Sequence, residues 1–505
     1  MQVTSTNHLV SYVRDQLMAL GSNGGHISPA VYDTAQLLRF APPDNPRPAW
    51  DWLMAQQHPD GGWGDPVAPR ARTVPTLAAV LALHQSPLEH TSHSIESGIR
   101  YLMTQTSEWA EPLPNDIPVG VELILPTLLL DARKVGLVLP ERAYTAVEVL
   151  GQRRRTLITN MTPRAGTAPA HSWEAWGTDP DPALLDASGG IGHSPAATAY
   201  WLSCARDRPE FIAACNQATR YLQQASHATD CHIAGVVPTV WPINRFEQIF
   251  ALYFLVISGM HRHPDLATLV TQQVADLAQA IRPDGIGMSD AFMVDGDITT
   301  TAASVLAALE SPIATSILAR FQTNQHFFTY PGELQPSLTT TAHAVHALSQ
   351  TATGKHAQDY LIDYQNPDGY WQGDKWHSAW FYTTSQVLVA LGQQQAYRSH
   401  VNAALSAIQQ YQHPCGGWGI DQPTTEETAY ALLSFLVSGQ SDHPAVERGY
   451  AWLGETYAPS ATHPSRWIGK ELYCPTRLVS LIEGCILLRL SQHQRQDRAV
   501  GGHNV

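Results

Sequence analysis

Charge is the scarcest resource of this 505-residue chain: Asp, Glu, Lys and Arg together make 15% of it, against about a quarter in an average soluble protein. Positive charge is the scarcer sign, 30 Lys and Arg against 44 Asp and Glu for a net −14, which excludes the broad basic footprint of a nucleic-acid binder. No apolar run reaches the roughly 18 residues of a membrane-spanning helix; residues 249–260 and 119–130 have the length of core helices. The start, MQVTSTNHLVSYVRDQL, lacks the basic-then-apolar order of a secretory signal. Cysteine is sparse: Cys204, Cys215, Cys231, Cys415, Cys474 and Cys485 fall at no metal-like spacing, so a cytoplasmic chain with reduced thiols is expected. The sequon at Asn160-Met161-Thr162 then carries no meaning. Phosphate-cradling GxxxxGK[ST], HExxH and GxGxxG signatures are missing. Gly192-His193-Ser194-Pro195-Ala196 lacks the last Gly of a nucleophile elbow and reads as a turn.

What the chain has is a large apolar content, 44% with 14 Trp, enough for a sizeable core and two or three domains. It also repeats itself. Gln57-His58-Pro59-Asp60-Gly61-Gly62-Trp63 recurs at Gln365–Trp371 and again at Gln412–Trp418, with weaker echoes at Asp186–Gly190 and Pro283–Gly285. The last two strong copies are 47 residues apart, room for two helices and their turns. An Ala/Leu-rich helical stretch follows each copy, at 76–84, 196–205, 301–310, 382–391 and 428–438, and β-runs are few. Pro and Asp-Gly end one helix and reverse the chain, while Gln and Trp tie the turn to the next repeat. Repeated helical hairpins of this kind close into α/α barrels, and the chain length predicts two of them in an all-α fold.

Asp295-Gly296-Asp297-Ile298-Thr299-Thr300-Thr301 opens the predicted helix that follows Ala291-Phe292-Met293-Val294. Capping accounts for one Asp and one Thr. It does not account for two carboxylates inside an apolar run, so a structural cap and a catalytic pair both stand on the pattern alone.

Other segments resemble one family. Asp295-Gly296-Asp297-Ile298-Thr299 matches, except at its fourth position, the DxDD-Thr acid motif of the class II terpene cyclases. Ser28–Ala35 resembles the family's SxxAYDTA segment. Arg72–Ala78, Pro118–Glu122 with Pro126–Leu129, His171–Glu174, Val237–Pro242 and Trp467–Tyr473 have similar counterparts in the same order. The likeness covers nearly the whole chain and is greatest to bacterial class II diterpene cyclases. No DDxxD or NSE-type metal motif of a class I α domain is present.

The resemblance implies a βγ double barrel, with β formed by 1–24 and 236–505 and γ by 25–235, inserted after the first helix. It implies protonation-initiated cyclisation of geranylgeranyl diphosphate with the diphosphate retained, so that a separate class I synthase is the expected consumer of the product. Asp297 is the expected proton donor and Asp295 its partner. A neutral acid in a dry pocket, strengthened by a hydrogen bond and a helix N-terminus, suits that chemistry; Ile298 takes away one hydrogen bond that the family's fourth Asp supplies.

Carbocations need π-faces, for which Trp241, Trp371, Trp376, Trp380, Phe381 and Tyr382, with Trp173, are the candidates. Lys375 and Lys470 are the candidate diphosphate ligands. Mg²⁺ is the expected cofactor, with Glu111, Glu108 and Asp116 as ligands by the resemblance. His171 and Thr239 match the His and Asn that hold the terminal water in plant copalyl-type members. Thr holds that water by fewer bonds than Asn, which favours a rearranged halimadienyl or kolavenyl skeleton over copalyl. A squalene/hopene-type cyclase, a farnesyl diphosphate (drimenyl-type) cyclase and a non-catalytic α/α-toroid binding protein are the alternatives. Asp230-Cys231-His232 is too compact for the zinc site of a prenyltransferase.

Overall fold

The computed structural model describes residues 6–333, 335–348, 351–459 and 461–501; the ends of the expected β unit, 1–5 and 502–505, lie outside the described residues. Eleven helices carry the architecture: α1 (Thr6–Met18), α2 (Val31–Phe40), α3 (Thr73–His84), α4 (Val121–Lys134), α5 (Pro195–Ala205), α6 (Asn244–Ser258), α7 (Gly296–Ala308), α8 (Leu338–Leu348), α9 (Trp380–Leu391), α10 (Thr425–Val437) and α11 (Thr476–Gly501). Helices α6 to α11 pack each against the next, and α11 returns to α6, closing a ring of six. Further helices such as Pro264–Ala280, Ala352–Asp363, Arg398–Gln410 and Pro444–Thr456 connect them. In a second ring α2 packs on α3 and α5, α3 on α4, and the 3₁₀ segment Ala168–Ala175 closes the gap between α4 and α5. Two helical barrels are therefore present, as expected. The only strands among the described residues are Trp467–Ile468 and Leu472–Tyr473, an antiparallel hairpin.

The repeated turn explains how each ring closes. Gln57, Gln365 and Gln412 donate through Nε2 to the carbonyls of Gly61, Gly369 and Gly416 at 2.9, 2.5 and 2.7 Å. The same amides reach the next hairpin at Ser94, His400 and Ala445. Each Trp indole caps a carbonyl near the end of the preceding helix, Trp63 to Leu53, Trp371 to Leu361 and Trp418 to Ile408. Each Trp backbone N–H then donates to a Thr of the following inner helix, Thr76, Thr384 or Thr428. The fifth residue of each unit, Gly61, Gly369 or Gly416, has positive φ. A Cβ at Gly61 would lie 2.4 Å from the Ser97 carbonyl oxygen, so only Gly lets the hairpins approach.

One apolar core runs from Leu9 and Val13 through Phe250 to Ile486, and a second joins Tyr32, Trp63, Leu81, Leu125 and Tyr144. Helix α1 packs on α11 and on Pro264–Ala280, on the outside of the six-helix ring. All six cysteines are free. No described helix is long and apolar enough to cross a membrane.

Candidate active site

The acid motif sits at the N-terminus of α7. Asp295 is the N-cap, its Oδ1 accepting the Ile298 N–H at 2.7 Å. Gly296 donates to the Thr329 carbonyl at 2.8 Å, and a Cβ there would lie 2.0 Å from the Phe328 oxygen. The motif's Gly is thus required by the loop that closes over it. Burial pushes the Asp295 carboxyl well above the usual range against its cap hydrogen bond, and the neighbouring Asp297 charge pushes the same way. Its Oδ2 is buried without a partner.

Asp297 lies one step inside the helix, 8% exposed. Its Oδ1 is 2.8 Å from His343 Nδ1. His343, fully buried on α8, places its Nε2 3.3 Å from Gln386 Oε1 on α9. Facing a carbonyl oxygen, Nε2 is the donor of that contact, and Nδ1 is the ring atom that meets the Asp297 carboxyl. Ile298, where the family motif has its fourth Asp, is 4% exposed and part of the main core. His343, from the neighbouring helix, supplies Asp297 with the hydrogen bond that an aliphatic side chain at 298 does not.

Aromatic rings continue from this row into the barrel. Tyr253 and Phe250 lie 5.1 and 5.7 Å from the His343 ring, Trp467 lies 5.8 Å from Phe250, and Tyr382 lies 5.1 Å from Trp467. Of the aromatic residues expected at the cavity, Tyr382 is in this cluster. Trp376 donates to Thr329 Oγ1 at 3.2 Å and borders the acid loop.

The others are placed differently. Trp371 is the indole plug of its turn. Trp380 stacks on Phe381 and Tyr370 at 3.9 and 4.3 Å, away from the acid row. Trp241 donates to the Asn23 carbonyl and packs on Tyr221. Trp173 packs on Tyr200 in a small core of the second barrel. Their large apolar area is used where helices must be joined, which is the commoner use of Trp.

The two candidate lysines part company. Lys375 pairs with Glu333 and stands 4.8 Å over the Trp376 ring. Glu333 in turn accepts the Thr329 and Tyr330 N–H groups, so Lys375 borders the acid loop. Lys470 is completely buried, donating to Glu174 Oε1 and Ser194 Oγ at 2.6 Å each, with Asp33 Oδ1 at 3.9 Å. Its charge is consumed in joining the hairpin Trp467–Tyr473 to the second barrel, which corrects its assignment to the diphosphate.

Next to it, Glu471 accepts the Val31 and Tyr32 N–H groups. Burial pushes Glu471 from 4.5 up to about 8. Burial also lifts Asp33 from 3.8 to about 7 although Lys470 pulls it down. Both carboxyls keep a proton in the folded chain that the unfolded chain sheds near pH 4. Their stabilisation is full below that pH and fades as pH rises to about 8. Thermal unfolding temperature should therefore fall between pH 5 and pH 8, and Glu471→Gln should flatten that slope. Equal slopes in the two proteins would show that Glu471 does not titrate in this window.

His171 donates through Nδ1 to the Gly192 carbonyl at 2.9 Å, leaving Nε2 as an acceptor. Burial first, then Lys470 and His193, lower it to about 3, so it is neutral and a weak base. Thr239 is wedged against Gly469, where a Cβ would lie 3.0 Å from its methyl group. The turn expected at Gly192–Ala196 is present, with positive φ at Gly192 and His193. It presents His193 between Asp186 Oδ2, 2.8 Å from Nδ1, and Ser289 Oγ, 2.6 Å from Nε2. All three are buried, so this row couples rather than reacts: it ties Ser289, six residues before Asp295, to the second barrel.

Of the expected Mg²⁺ ligands, Glu108 and Asp116 both face Arg70, at 3.7 and 3.8 Å. Glu111 lines a separate groove with Arg153 and Gln335. Among the described residues no three His, Cys, Asp or Glu side chains gather as a metal cage. The three carboxylates do not fit a ready-made Mg²⁺ site, and no step is assigned to the metal.

His343 escaped the sequence reading, although a signal existed. The inner helices recur with the period of the Gln/Trp turns, so Asp297, His343 and Gln386, 46 and 43 residues apart, stand at one height on adjacent helices.

A family model described as the squalene-hopene cyclase C-terminal domain matches residues 335–471. Over 496 residues, 93% of this chain and 95% of the relative, the sequence is 43% identical to the (+)-kolavenyl diphosphate synthase of Herpetosiphon aurantiacus. It is 31% identical over 511 residues, 94% and 95% of the two chains, to the ent-copalyl diphosphate synthase of Streptomyces sp. strain KO-3988. The solved structure of ent-copalyl diphosphate synthase from Streptomyces platensis superposes with a TM-score of 0.78 at 27% identity, covering 96% of this chain and 99% of that one.

Proposed function

The chain belongs to the class II diterpene cyclases, enzymes that cyclise a diterpene substrate, and from that premise we propose that it converts geranylgeranyl diphosphate to a rearranged bicyclic diphosphate. The observation that carries the reading is the buried row Asp297–His343–Gln386 beside Asp295, whose carboxyl burial pushes well above the usual range. Asp297 gives its carboxyl proton to the terminal alkene of the substrate. The electron pair of that alkene forms the new C–H bond, and the cation is captured by successive double bonds as the rings close. His343 is the hydrogen-bond partner of the carboxylate that remains on Asp297, and burial, which pushes the Asp295 carboxyl well above the usual range, works against a second negative charge beside it.

Lys375 stays in this reading as the lysine that would meet the diphosphate, which requires its release from Glu333. Mg²⁺ enters only as the counter-ion the diphosphate brings with it. A cytoplasmic location and consumption of the product by a class I synthase belong to the same reading. So does the division into a catalytic unit of 1–24 and 236–505 and an inserted unit of 25–235, although the main core also takes in Ile27, Leu37 and Tyr221 of the inserted unit.

His171 and Thr239 favour a rearranged product. A neutral His lowered to about 3 and a wedged Thr are poor holders of a basic water, so the first bicyclic cation survives long enough for 1,2-shifts. The name of the Herpetosiphon relative points the same way. The test is incubation of the purified protein with geranylgeranyl diphosphate, farnesyl diphosphate and squalene, followed by dephosphorylation and identification of the products. The expected result is a halimadienyl- or kolavenyl-type alcohol from the C20 substrate, partly reverting to the copalyl skeleton in Thr239→Asn. An unrearranged copalyl product alone from the wild-type protein would overturn the rearrangement.

A further inference from the structure

Across the ring from the acid lies a second buried carboxylate that the reading above leaves unused. In the closed ring of six helices α7 and α10 stand opposite one another, and Glu426 occupies the first turn of α10 as Asp297 occupies that of α7. Glu426 is 1% exposed. Its Oε1 accepts from Trp467 Nε1 at 2.9 Å and from His377 Nε2 at 3.3 Å. His377 Nδ1 accepts the Ala379 N–H at 3.1 Å, which puts the ring proton on Nε2, toward the carboxylate.

One oxygen is thus held by two donors. The other, Oε2, is buried outside these two hydrogen bonds, and the Tyr430 hydroxyl one turn further on interacts with the same carboxyl. Aromatic faces surround the carboxylate: Tyr382 stacks on His377 at 4.4 Å, Tyr430 lies 5.0 Å from Tyr382, and Trp467 links this group through Phe250 to His343. A buried carboxylate is expensive, and among these rings its natural counterpart is a cation.

Resting on the function proposed above, we infer that Glu426 is the base that ends the reaction. Proton-initiated closure of two rings leaves the positive charge in the second ring, and successive 1,2-shifts carry it back across the fusion into the first. The acid faces that first ring from one side of the barrel, and Glu426 faces it from the other. Glu426 Oε2 takes a proton from a carbon next to the cationic centre. The electrons of that C–H bond become the ring double bond, and the diphosphate is untouched. His171, lowered to about 3, is too weak a base to compete before the shifts occur.

The test uses the full-length protein and geranylgeranyl diphosphate in D₂O, comparing the wild type with Glu426→Gln and Glu426→Met. Gln keeps an oxygen for Trp467 and His377; Met fills the volume without a hydrogen-bonding oxygen. Deuterium delivered by Asp297 stays in the product when the double bond forms at another carbon, or when the base removes the hydrogen on the face opposite the acid, so its retention reports proton delivery and the facing of the base together. The expected result is retained deuterium incorporation with at least a fivefold loss of the wild-type product, replaced by copalyl-type, double-bond-isomeric or water-captured diphosphates. Wild-type product proportions within twofold in either folded variant would overturn the inference. So would unfolding of both variants in near-UV circular dichroism, which would make Glu426 a packing anion. A wild-type protein that gives no rearranged product overturns the underlying function instead, and the two failures are therefore distinct.

Discussion

Asp297→Asn is expected to reduce turnover of geranylgeranyl diphosphate by roughly 10⁴-fold or more, the upper range for a general acid, and in practice to the detection limit. An amide of the same volume can still meet His343 Nδ1, but it has no proton acidic enough for an isolated alkene. The loss should fall on kcat, because the side chain that meets the substrate keeps its shape, and circular dichroism and unfolding temperature should stay close to wild type. Asp297 is 8% exposed and its own carbonyl is held by the Thr300 and Thr301 hydroxyls at 3.1 and 2.8 Å, so the helix start does not depend on the carboxylate. Turnover within tenfold of wild type in a folded Asp297→Asn protein would remove Asp297 as the proton donor.

Replacing His343 with Leu should give the next largest effect. After proton transfer the carboxylate of Asp297 is buried, and His343 Nδ1, 2.8 Å away, is its side-chain partner. Removing one member of a buried pair costs about 3 kcal/mol or more, which corresponds to roughly 10²-fold in rate. Leu fills most of the ring's volume, so kcat should fall about a hundredfold while KM changes little. The same substitution at Gln386, one step further from the acid, should cost less, because it only orients the imidazole. A His343→Leu protein with kcat within threefold of wild type would show that the acid does not use this partner, and that Ile298 in place of the fourth Asp needs no substitute.

The Gln/Trp turns were legible in the chain order because each is a local device: a helix stop, a positive-φ Gly and an indole that caps the helix just ended. Their period predicted hairpins, and hairpins of that length predicted rings. The Asp295/Asp297 pair was legible because two carboxylates in an apolar run are costly wherever they fold. Lys470 misled for the opposite reason. Its place in a segment resembling the family's suggested a ligand for the diphosphate, but only the packing of the hairpin Trp467–Tyr473 against α2 and the segment Ala168–Ala175 reveals Asp33 and Glu174 around it. The carboxylates Glu108 and Asp116 misled in the same way, since Arg70, far back in sequence, answers both.

The sequence by itself determined the helical class, the two rings, the position of the Asp295/Asp297 pair at a helix start and the absence of the common nucleotide and metalloprotease signatures. Each of these rests on interactions within one turn or between neighbouring repeats. The tertiary structure alone decided which side chains meet across the ring and between the barrels: His343 on Asp297, His377 and Trp467 on Glu426, and His193 on Ser289. Those pairs are 41 to 96 residues apart, and nothing local favours them. Within the ring they form because six helices close into a barrel, which brings the start of α7 against the middle of α8 and sets the segment before α9 and the hairpin at Trp467 against the first turn of α10.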